Sequence, residues 1–285
     1  DIIILEVNEK LPFVHGLENT IHISEVDMVI EGEHEGLTEF PSIVAGPVEE
    51  QIAESIVDRM TNGACIQLGV GGMPDAIGKL IAEYELKDLG IHTELLVNAY
   101  LDMHKAGKIT NLNKHDIMRG KSVFSIAHGT KELFDWVSDN PSMCCAPINY
   151  VNDLSVIGEI DNFVSINSCI AVDLFGQISA ESAGTRHISG TGGQLDFLTA
   201  GFKNPRAQSF IALPSTYTDK KGNLHSNIKP TFTGGDIITD PRSQAYTMVT
   251  EYGIENLAGA SVWERAEKLI NLAHPDFREE LIESA

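Results

Sequence analysis

The sequence has few cysteines, and they form no recognisable ligand or redox pattern. Cys65, Cys144, Cys145 and Cys169 show neither a C-x-x-C motif nor a zinc-ligand spacing. A disulfide framework and a structural zinc site are therefore not predicted, and we expect a cytoplasmic protein. Ten histidines occur without an H-E-x-x-H arrangement, so they predict no metal site either.

Positive charge is also scarce. The chain has 20 Lys and Arg against 41 Asp and Glu, which gives a formal net charge of −21. Duplex nucleic acid and anionic membranes are therefore not expected as partners. An anionic ligand would need a local group of donors and cations, and Lys220, Lys221 and Lys229 supply one basic patch. No apolar run approaches the ~18 residues that a membrane-spanning helix needs.

The stretch around residues 64–84 has the pattern of a strand, a glycine turn and a helix. The apolar run 64–68 predicts a buried strand, and Gly69-Val70-Gly71-Gly72-Met73 follows it. Pro74 is predicted to open the helix, because proline suits the first helical position. Apolar residues then recur at helical spacing at positions 77, 80, 81 and 84.

This glycine turn matches neither of the common nucleotide-binding motifs. Pro74 stands where the Rossmann pattern G-x-G-x-x-G requires glycine, and no G-K-[ST] follows as in a P-loop. Unpaired N–H groups at a helix N-terminus suit an anion or a polar head group. A tight turn that binds nothing explains the same residues equally well, so both interpretations remain open.

Glu94 is the leading candidate for chemistry. It is a carboxylate inside the apolar run 89–97, where desolvation is costly unless a nearby group uses the charge. His92, two residues earlier, either contacts substrate or is a packed histidine. Glu181 is a second carboxylate near glycines, and it either lines a site or is a solvated loop acid.

A serine hydrolase is the less favoured alternative. Ser182, Ser215 and His187 can be posed as parts of a triad, but the G-x-S-x-G elbow is absent from the sequence.

The whole chain reads as an α/β protein with an open, largely parallel sheet flanked by helices. Strand-like runs alternate with helical patterns throughout, and the length of 285 residues suits one large domain or two small ones. Short strands are predicted within 1–40, including one at 21–24, and a buried strand is predicted at 163–172. A second glycine-rich stretch runs from 176 to 193.

The start of the chain suggests an internal position in a longer polypeptide. It begins without methionine in the apolar run 1–7. We therefore expect residues 1–45 to be the end of an N-terminal half or linker strands. Residues 46–285 are expected to form a C-terminal domain.

Several motifs, in order along the chain, resemble one enzyme family: the class I coenzyme A transferases, and within it the butyryl-CoA:acetate and 4-hydroxybutyrate CoA-transferases. These motifs are QLGVGGMPDA at 67–76, GIHTE at 90–94, RHISGTGGQ at 186–194, VTEYG at 249–253 and AHPDFR at 273–278. The resemblance implies two open α/β halves of the NagB/RpiA type that face each other across a cleft. It also implies that the N-terminal half lies outside this chain.

The resemblance assigns roles to particular residues. Glu94 falls on the family's catalytic glutamate. Coenzyme A contacts fall on the two glycine loops and, outside them, on a backbone near Cys169 and a cation near Lys220. The loop residues are Gly69, Val70, Gly71, Gly72 and Met73 in the first loop and Gly192 and Gly193 in the second.

The implied reaction is a ping-pong transfer of CoA through a glutamyl-CoA thioester. Its substrates would be an acyl-CoA, butyryl-CoA by the branch resemblance, and a short-chain carboxylate such as acetate, with no prosthetic group. Alternatives are a 4-hydroxybutyrate CoA-transferase, an acyl-CoA hydrolase, and a CoA-binding portion inactive without its N-terminal half. A sugar-phosphate isomerase-like enzyme using Glu94 as a base is a further alternative. The resemblance also implies a homo-oligomer.

Overall fold

Strands and helices alternate along the chain in the computed structural model, which describes residues 1–114 and 117–285. The strands are β1 (Ile4–Val7), β2 (Met28–Glu31), β3 (Cys65–Leu68), β4 (Gly90–Val97), β5 (Ser122–His128), β6 (Met143–Cys145), β7 (Phe163–Ser168), β8 (Ala171–Asp173), β9 (Ile178–Ser179), β10 (Ser182–Ala183), β11 (Arg186–His187), β12 (Gln208–Ala212), β13 (Thr216–Thr218), β14 (Leu224–Ser226), β15 (Ile228–Lys229), β16 (Thr247–Thr250) and β17 (Gly253–Asn256). The helices are α1 (Pro47–Val57), α2 (Gly72–Glu83), α3 (Asn98–Lys105), α4 (Lys131–Val137), α5 (Ile148–Val151), α6 (Leu154–Gly158), α7 (Gln194–Ala200), α8 (Val262–Asn271) and α9 (Pro275–Ser284).

Within the described residues, eight strands form the central sheet in the order β17-β16-β12-β7-β3-β4-β5-β6. Neighbouring strands are parallel except at the edge, where β17 runs antiparallel to β16. This arrangement confirms the predicted α/β class with a largely parallel sheet. The chain runs outward from β3 to β6 on one side and then returns to the other side of β3 with β7.

Helices cover both faces of this sheet, which explains why its central strands carry apolar residues on both faces. Successive residues of a strand point to opposite faces. Ile66 accordingly packs with the helices α1 to α4, whereas Cys65 packs with α5, α6 and α7. A third cluster joins α8 and α9 to the short strands β8 and β15. A strand buried on both faces has no polar alternation, as the run 64–68 predicts.

Helix α2 begins two residues earlier than the sequence predicts. Gly72, not Pro74, is its first residue, and Gly71 caps it with φ of 116°. This left-handed backbone conformation favours glycine at position 71. A side chain at Gly78, in the same helix, would collide with Ala99 of α3, so Gly78 permits close packing of the two helices.

Two predicted strands are wrong in extent or type. Residues 21–24 do not form a strand; a short 3-10 turn occupies Ile23–Glu25, and the His22 ring accepts a hydrogen bond from the Ser24 N–H. This local side-chain bond offers the backbone an alternative to a sheet ladder. The stretch 163–172 is not one strand, because β7 ends at Ser168 and β8 joins a small separate sheet with β9 and β15.

The first 45 residues pack loosely. Strands β1 and β2 form a two-stranded parallel sheet, and the side chains of Ile2 and Val44 are 80% and 94% exposed. Parallel sheets are normally covered on both faces. At its far end this segment is tied to the central sheet, because Phe40 N–H donates to the Gly129 carbonyl and the Asn98 amide donates to the Phe40 carbonyl.

Candidate functional site

The main cavity, so named because more of the sequence-predicted site residues line it than line its neighbour, lies at the point where strand order reverses, between β3 and β7. Ligands of open α/β sheets bind outside the carboxyl ends of the strands at such a point. A cavity of about 390 Å³ lies there, lined by the residues that follow β3, by the end of β7 and by Glu94 of β4.

Glu94 reaches this cavity because β4 continues past the end of β3. Cys65 pairs with Gly90 and Ile66 with Ile91, so the last residue of β3, Leu68, lies level with Thr93. Glu94 is therefore the first residue of β4 that extends past the end of β3. Its half-buried side chain lines the main cavity and also a second cavity of about 410 Å³.

Asn152 holds the Glu94 carboxylate. Its side-chain amide donates to Glu94 Oε2 over 2.8 Å. Asn152 follows α5 and precedes Asp153, whose carboxylate caps α6 by accepting from the N–H groups of Ser155 and Val156. The end of one helix and the start of the next therefore fix the amide in place.

Asp196 places a second carboxylate beside the first. It lines the second cavity with Glu94. Burial raises the pKa of Asp196, the interaction with the Asn152 side chain opposes this rise, and the Glu94 charge adds to it. The Asn152 amide donates to Glu94, and its own Oδ1 is buried without a hydrogen-bond partner among the described residues.

The second glycine loop lies against Glu94. A Cβ at Gly193 would collide with Glu94 Oε2 and Asn152 Nδ2 and lie 3.1 Å from the ring of Phe197. A Cβ at Gly192 would meet only Glu94 Oε1, at an ordinary 3.6 Å. A side chain at position 193 would therefore force the carboxylate, the amide or the loop to move, whereas position 192 has more room.

Only part of the first glycine loop lines the main cavity. Gly69 and Val70 line the main cavity. Gly71 and Gly72 form the start of α2, and Met73 is buried in the core.

Cys169 and Lys220 are not among the residues that line the main cavity. Cys169 follows Ser168, which does line it, and packs against the core beside β8, where burial raises the pKa of its thiol. Lys220 lies in the exposed turn between β13 and β14. The sequence-predicted site residues that meet in the cavity are Glu94, Gly69, Val70, Gly192 and Gly193. The proposed coenzyme contacts of Cys169 and Lys220 stay predictions.

Several polar residues of the site are not among the sequence-predicted site residues. Gln67 and Asn167 line the main cavity and form a buried network with Ser165, in which Gln67 Oε1 accepts from both partners at 2.7 and 3.0 Å. Gln67 carries the same signal as Glu94, a polar residue inside an apolar run. Asn152 and Asp196 carry no such signal, because they lie in loops and at helix ends.

His92 is a packed histidine. Its side chain is fully buried, and its Nε2–H donates to the Val151 carbonyl over 2.8 Å. Burial, helped by the Lys114 charge, lowers its pKa to about 3. Of the two interpretations of His92, the structure favours packing over substrate contact.

This neutral histidine makes the fold sensitive to acid. In the unfolded chain His92 takes up a proton below about pH 6.5, whereas in the fold it does so only near pH 3. Its contribution to stability is therefore present above pH 6.5 and is lost progressively as the pH falls toward 3. We expect His92→Gln, which keeps an N–H donor near Val151, to show a smaller decrease in unfolding free energy between pH 6.5 and 4 than the wild type. Urea titrations at several pH values measure it, and an unchanged slope would contradict the assignment.

The described ranges contain neither a metal-ligand cluster nor a membrane-spanning helix. Residues 1–114 and 117–285 contain no group of three or more His, Cys, Asp or Glu side chains that could hold a metal ion. In the same ranges, no helix combines the length and apolar character needed to cross a bilayer.

The chain is similar to known proteins. Residues 129–285 match the family model described as the acetyl-CoA hydrolase/transferase C-terminal domain. The chain is 51% identical over 287 residues to the butyryl-CoA:acetate CoA-transferase of Anaerostipes caccae, covering 100% of this chain and 64% of that protein.

The fold is also similar to that of solved structures. RipA from Yersinia pestis superposes with a TM-score of 0.88 at 40% identity, covering 100% of this chain and 62% of its own. The 4-hydroxybutyrate CoA-transferase of Porphyromonas gingivalis gives a TM-score of 0.82 at 38% identity, covering 99% and 65%. The chain therefore spans less than two thirds of the length of these relatives.

Proposed function

Because the chain belongs to the acetyl-CoA hydrolase/transferase family, we propose that it carries the catalytic glutamate of a CoA-transferase. The proposed reaction moves CoA between a short-chain acyl-CoA, butyryl-CoA, and a carboxylate, acetate. The observation that carries the proposal is the Glu94 carboxylate, which lies between two cavities and is held 2.8 Å from the Asn152 amide. The name of the Anaerostipes caccae relative supports the choice of substrates.

In the first half-reaction, a Glu94 oxygen attacks the thioester carbonyl carbon. The C–S bond breaks, CoA leaves as its thiolate, and an acyl-glutamyl anhydride remains. Negative charge develops on the former carbonyl oxygen. In the proposal, backbone N–H groups of the loop at Gly192 and Gly193 donate to this oxygen, because that loop lies against the carboxylate.

In the second step, the thiolate attacks the carbonyl carbon of Glu94. The acyl carboxylate leaves, and a glutamyl-CoA thioester forms. Here the charge develops on a glutamate oxygen, and the Asn152 amide already donates to one of these oxygens. Acetate then attacks the thioester, and the same steps in reverse deliver acetyl-CoA and free Glu94.

Such intermediates require protection from water. Glu94 lines both cavities and is only half-buried, so its carboxylate is not shielded from water by this chain alone. We propose that residues 1–45 end an N-terminal half, that residues 46–285 form the glutamate-carrying domain, and that the N-terminal half closes the cleft. The exposed apolar side chains of β1 and β2 support this arrangement. The proposed assembly is a cytoplasmic homo-oligomer.

Borohydride trapping tests the reaction. The protein is incubated with butyryl-CoA, treated with borohydride, digested and analysed by mass spectrometry. We expect Glu94 to be reduced to the alcohol, because borohydride reduces a thioester and leaves a free carboxylate unchanged. Incubation with free CoA is the control and should leave Glu94 intact. Reduction of another residue, or of none, would contradict the glutamyl thioester. The absence of any reduction is the result expected for an isomerase-like base.

The same experiment tests the domain proposal. It is run on the 285 residues alone and on the polypeptide that carries them together with its N-terminal half. We expect trapping in the longer protein and little in the 285 residues. Equal trapping in both would show that the thioester at Glu94 forms without the N-terminal half.

A further inference from the structure

Glu181 is a buried carboxylate that the proposed transfer leaves without a role. It is 6% exposed, lies in the turn between β9 and β10, and lines the main cavity with Glu94. The Thr191 hydroxyl donates to Glu181 Oε2 over 3.0 Å. Among the ion pairs of the described residues, none includes Glu181. A buried carboxylate has room for several donors, and one hydroxyl leaves most of that capacity unused.

A second carboxylate behind it increases the shortage of donors. Asp240 is fully buried, and its Oδ2 accepts from the Gln194 side chain over 2.6 Å. Its Oδ1 is buried without a hydrogen-bond partner among the described residues. Burial, and then the charge of Glu181, raise the pKa of Asp240 to about 6. Asp240 does not line the cavity, so a ligand can satisfy only Glu181, and the charges of both acids favour a ligand that brings N–H or O–H donors.

The cavity also excludes certain ligands by charge. Of the described residues that line it, the charged ones are Glu94 and Glu181, and both are acidic. A phosphate group placed there would be repelled at short range. The remaining polar residues of the lining, among them Gln67, Asn167 and Ser189, are uncharged and do not repel a neutral ligand. The cavity therefore fits an uncharged chain that carries hydrogen-bond donors and ends at Glu94.

Coenzyme A has one part of this kind. Its pantetheine arm is neutral, carries two amide N–H groups and a hydroxyl, and ends in the sulfur that must reach the nucleophile. We propose, on the basis of the proposed function, that Glu181 binds this arm by accepting a hydrogen bond from an amide N–H. The phosphates then lie outside the main cavity.

Glu181 is well placed to link arm binding to the second glycine loop. Its backbone carbonyl accepts from the N–H groups of Ile188 and Ser189, and its carboxylate accepts from Thr191. Thr191 precedes Gly192, which lines both cavities. An arm bound to Glu181 therefore contacts the segment that leads to the glycines beside Glu94.

A pair of thioesters tests the contact in the full polypeptide that carries this chain. S-butyryl-pantetheine has both amides, whereas the S-butyryl thioester of methyl 3-mercaptopropionate has none. We expect Glu181→Leu to lower kcat/KM for the pantetheine thioester about 10–100-fold more than for the simple thioester, the range for one hydrogen bond to a charged group. Glu181→Gln, which keeps the shape and one acceptor oxygen, should show a smaller difference between the substrates.

Glu85→Gln, an equal change of charge at an exposed position, is the matched control and should leave the ratio between the two thioesters as in the wild type. Equal losses for both thioesters in the Glu181 variants, or no loss, would overturn the proposal. A contact to the phosphate end would instead lower kcat/KM for butyryl-CoA and leave butyryl-pantetheine unaffected, which would also overturn it.

A binding measurement keeps this test separate from the test of transfer. Calorimetric titration of pantetheine into the 285-residue chain needs no turnover. We expect weaker binding by Glu181→Leu than by the wild type, and equal binding would overturn the contact. If pantetheine binding depends on Glu181 while trapping finds no thioester at Glu94, the arm site stands and the proposed transfer fails.

Discussion

Glu94→Gln is expected to abolish CoA transfer and to leave the fold intact. A neutral amide is a very poor nucleophile toward a thioester, so kcat should fall by at least about 10³-fold, as for removal of other catalytic nucleophiles. The glutamine Oε1 can still accept from Asn152, so the local hydrogen bond survives. Steady-state kinetics and thermal unfolding measure the two quantities. Near-normal turnover would remove Glu94 from the proposed role.

Glu94→Asp is the matched variant for this experiment. It keeps the carboxylate and withdraws it by one methylene from Asn152 and from the second glycine loop. A misplacement of this size costs on the order of 10²-fold in rate. We therefore expect turnover between that of the wild type and that of Glu94→Gln, with thioester still trapped at position 94. Equal loss in both variants would indicate a structural role for Glu94.

Gly193→Ala is expected to lower kcat by about 10²–10³-fold, with a much smaller effect on CoA affinity. The added Cβ collides with Glu94 Oε2 and with Asn152 Nδ2. The carboxylate, the amide or the loop must move, and each of these movements misplaces the nucleophile or the proposed oxyanion donors. Kinetics together with calorimetric titration of CoA separate the two effects.

Gly192→Ala provides the comparison for Gly193→Ala. Its Cβ would lie 3.6 Å from Glu94 Oε1, an ordinary contact distance. We expect a loss clearly smaller than that of the neighbouring variant. If the two alanines reduce kcat equally, the approach of Gly193 to the carboxylate is not the cause, and the loop acts through its flexibility.

The alternation of apolar runs and helical patterns was sufficient to predict the fold class. The prediction of a strand at 21–24 failed because a local hydrogen bond from Ser24 to His22 competes with strand pairing. The beginning of α2 was misplaced because Gly71, and not Pro74, makes the turn. Backbone conformation at a glycine cannot be read from its neighbours alone.

The site was predictable in part. Glu94 and Gln67 stand out as polar residues in apolar strands. Asn152 and Asp196 do not stand out, because their positions beside Glu94 depend on the order of strands in the sheet and on how short helices follow them. Asn152 and Glu94 come from segments that are distant in the sequence, and hydrophobic periodicity does not predict that these segments are in contact.

The return of the chain from β6 to β7 has a consequence for the order in which the molecule forms. Gln67 and Ser165, which bond across β3 and β7, are 98 positions apart, and Glu94 and Asn152 are 58 apart. Closing such long loops carries an entropic penalty that nearby contacts such as β3 with β4 avoid, and non-local pairings form slowly. We therefore expect a refolding chain to pair β3 with β4 before the Asn152 amide reaches Glu94. In such a chain the proposed reactivity would appear last, after the long-range contacts that complete the site.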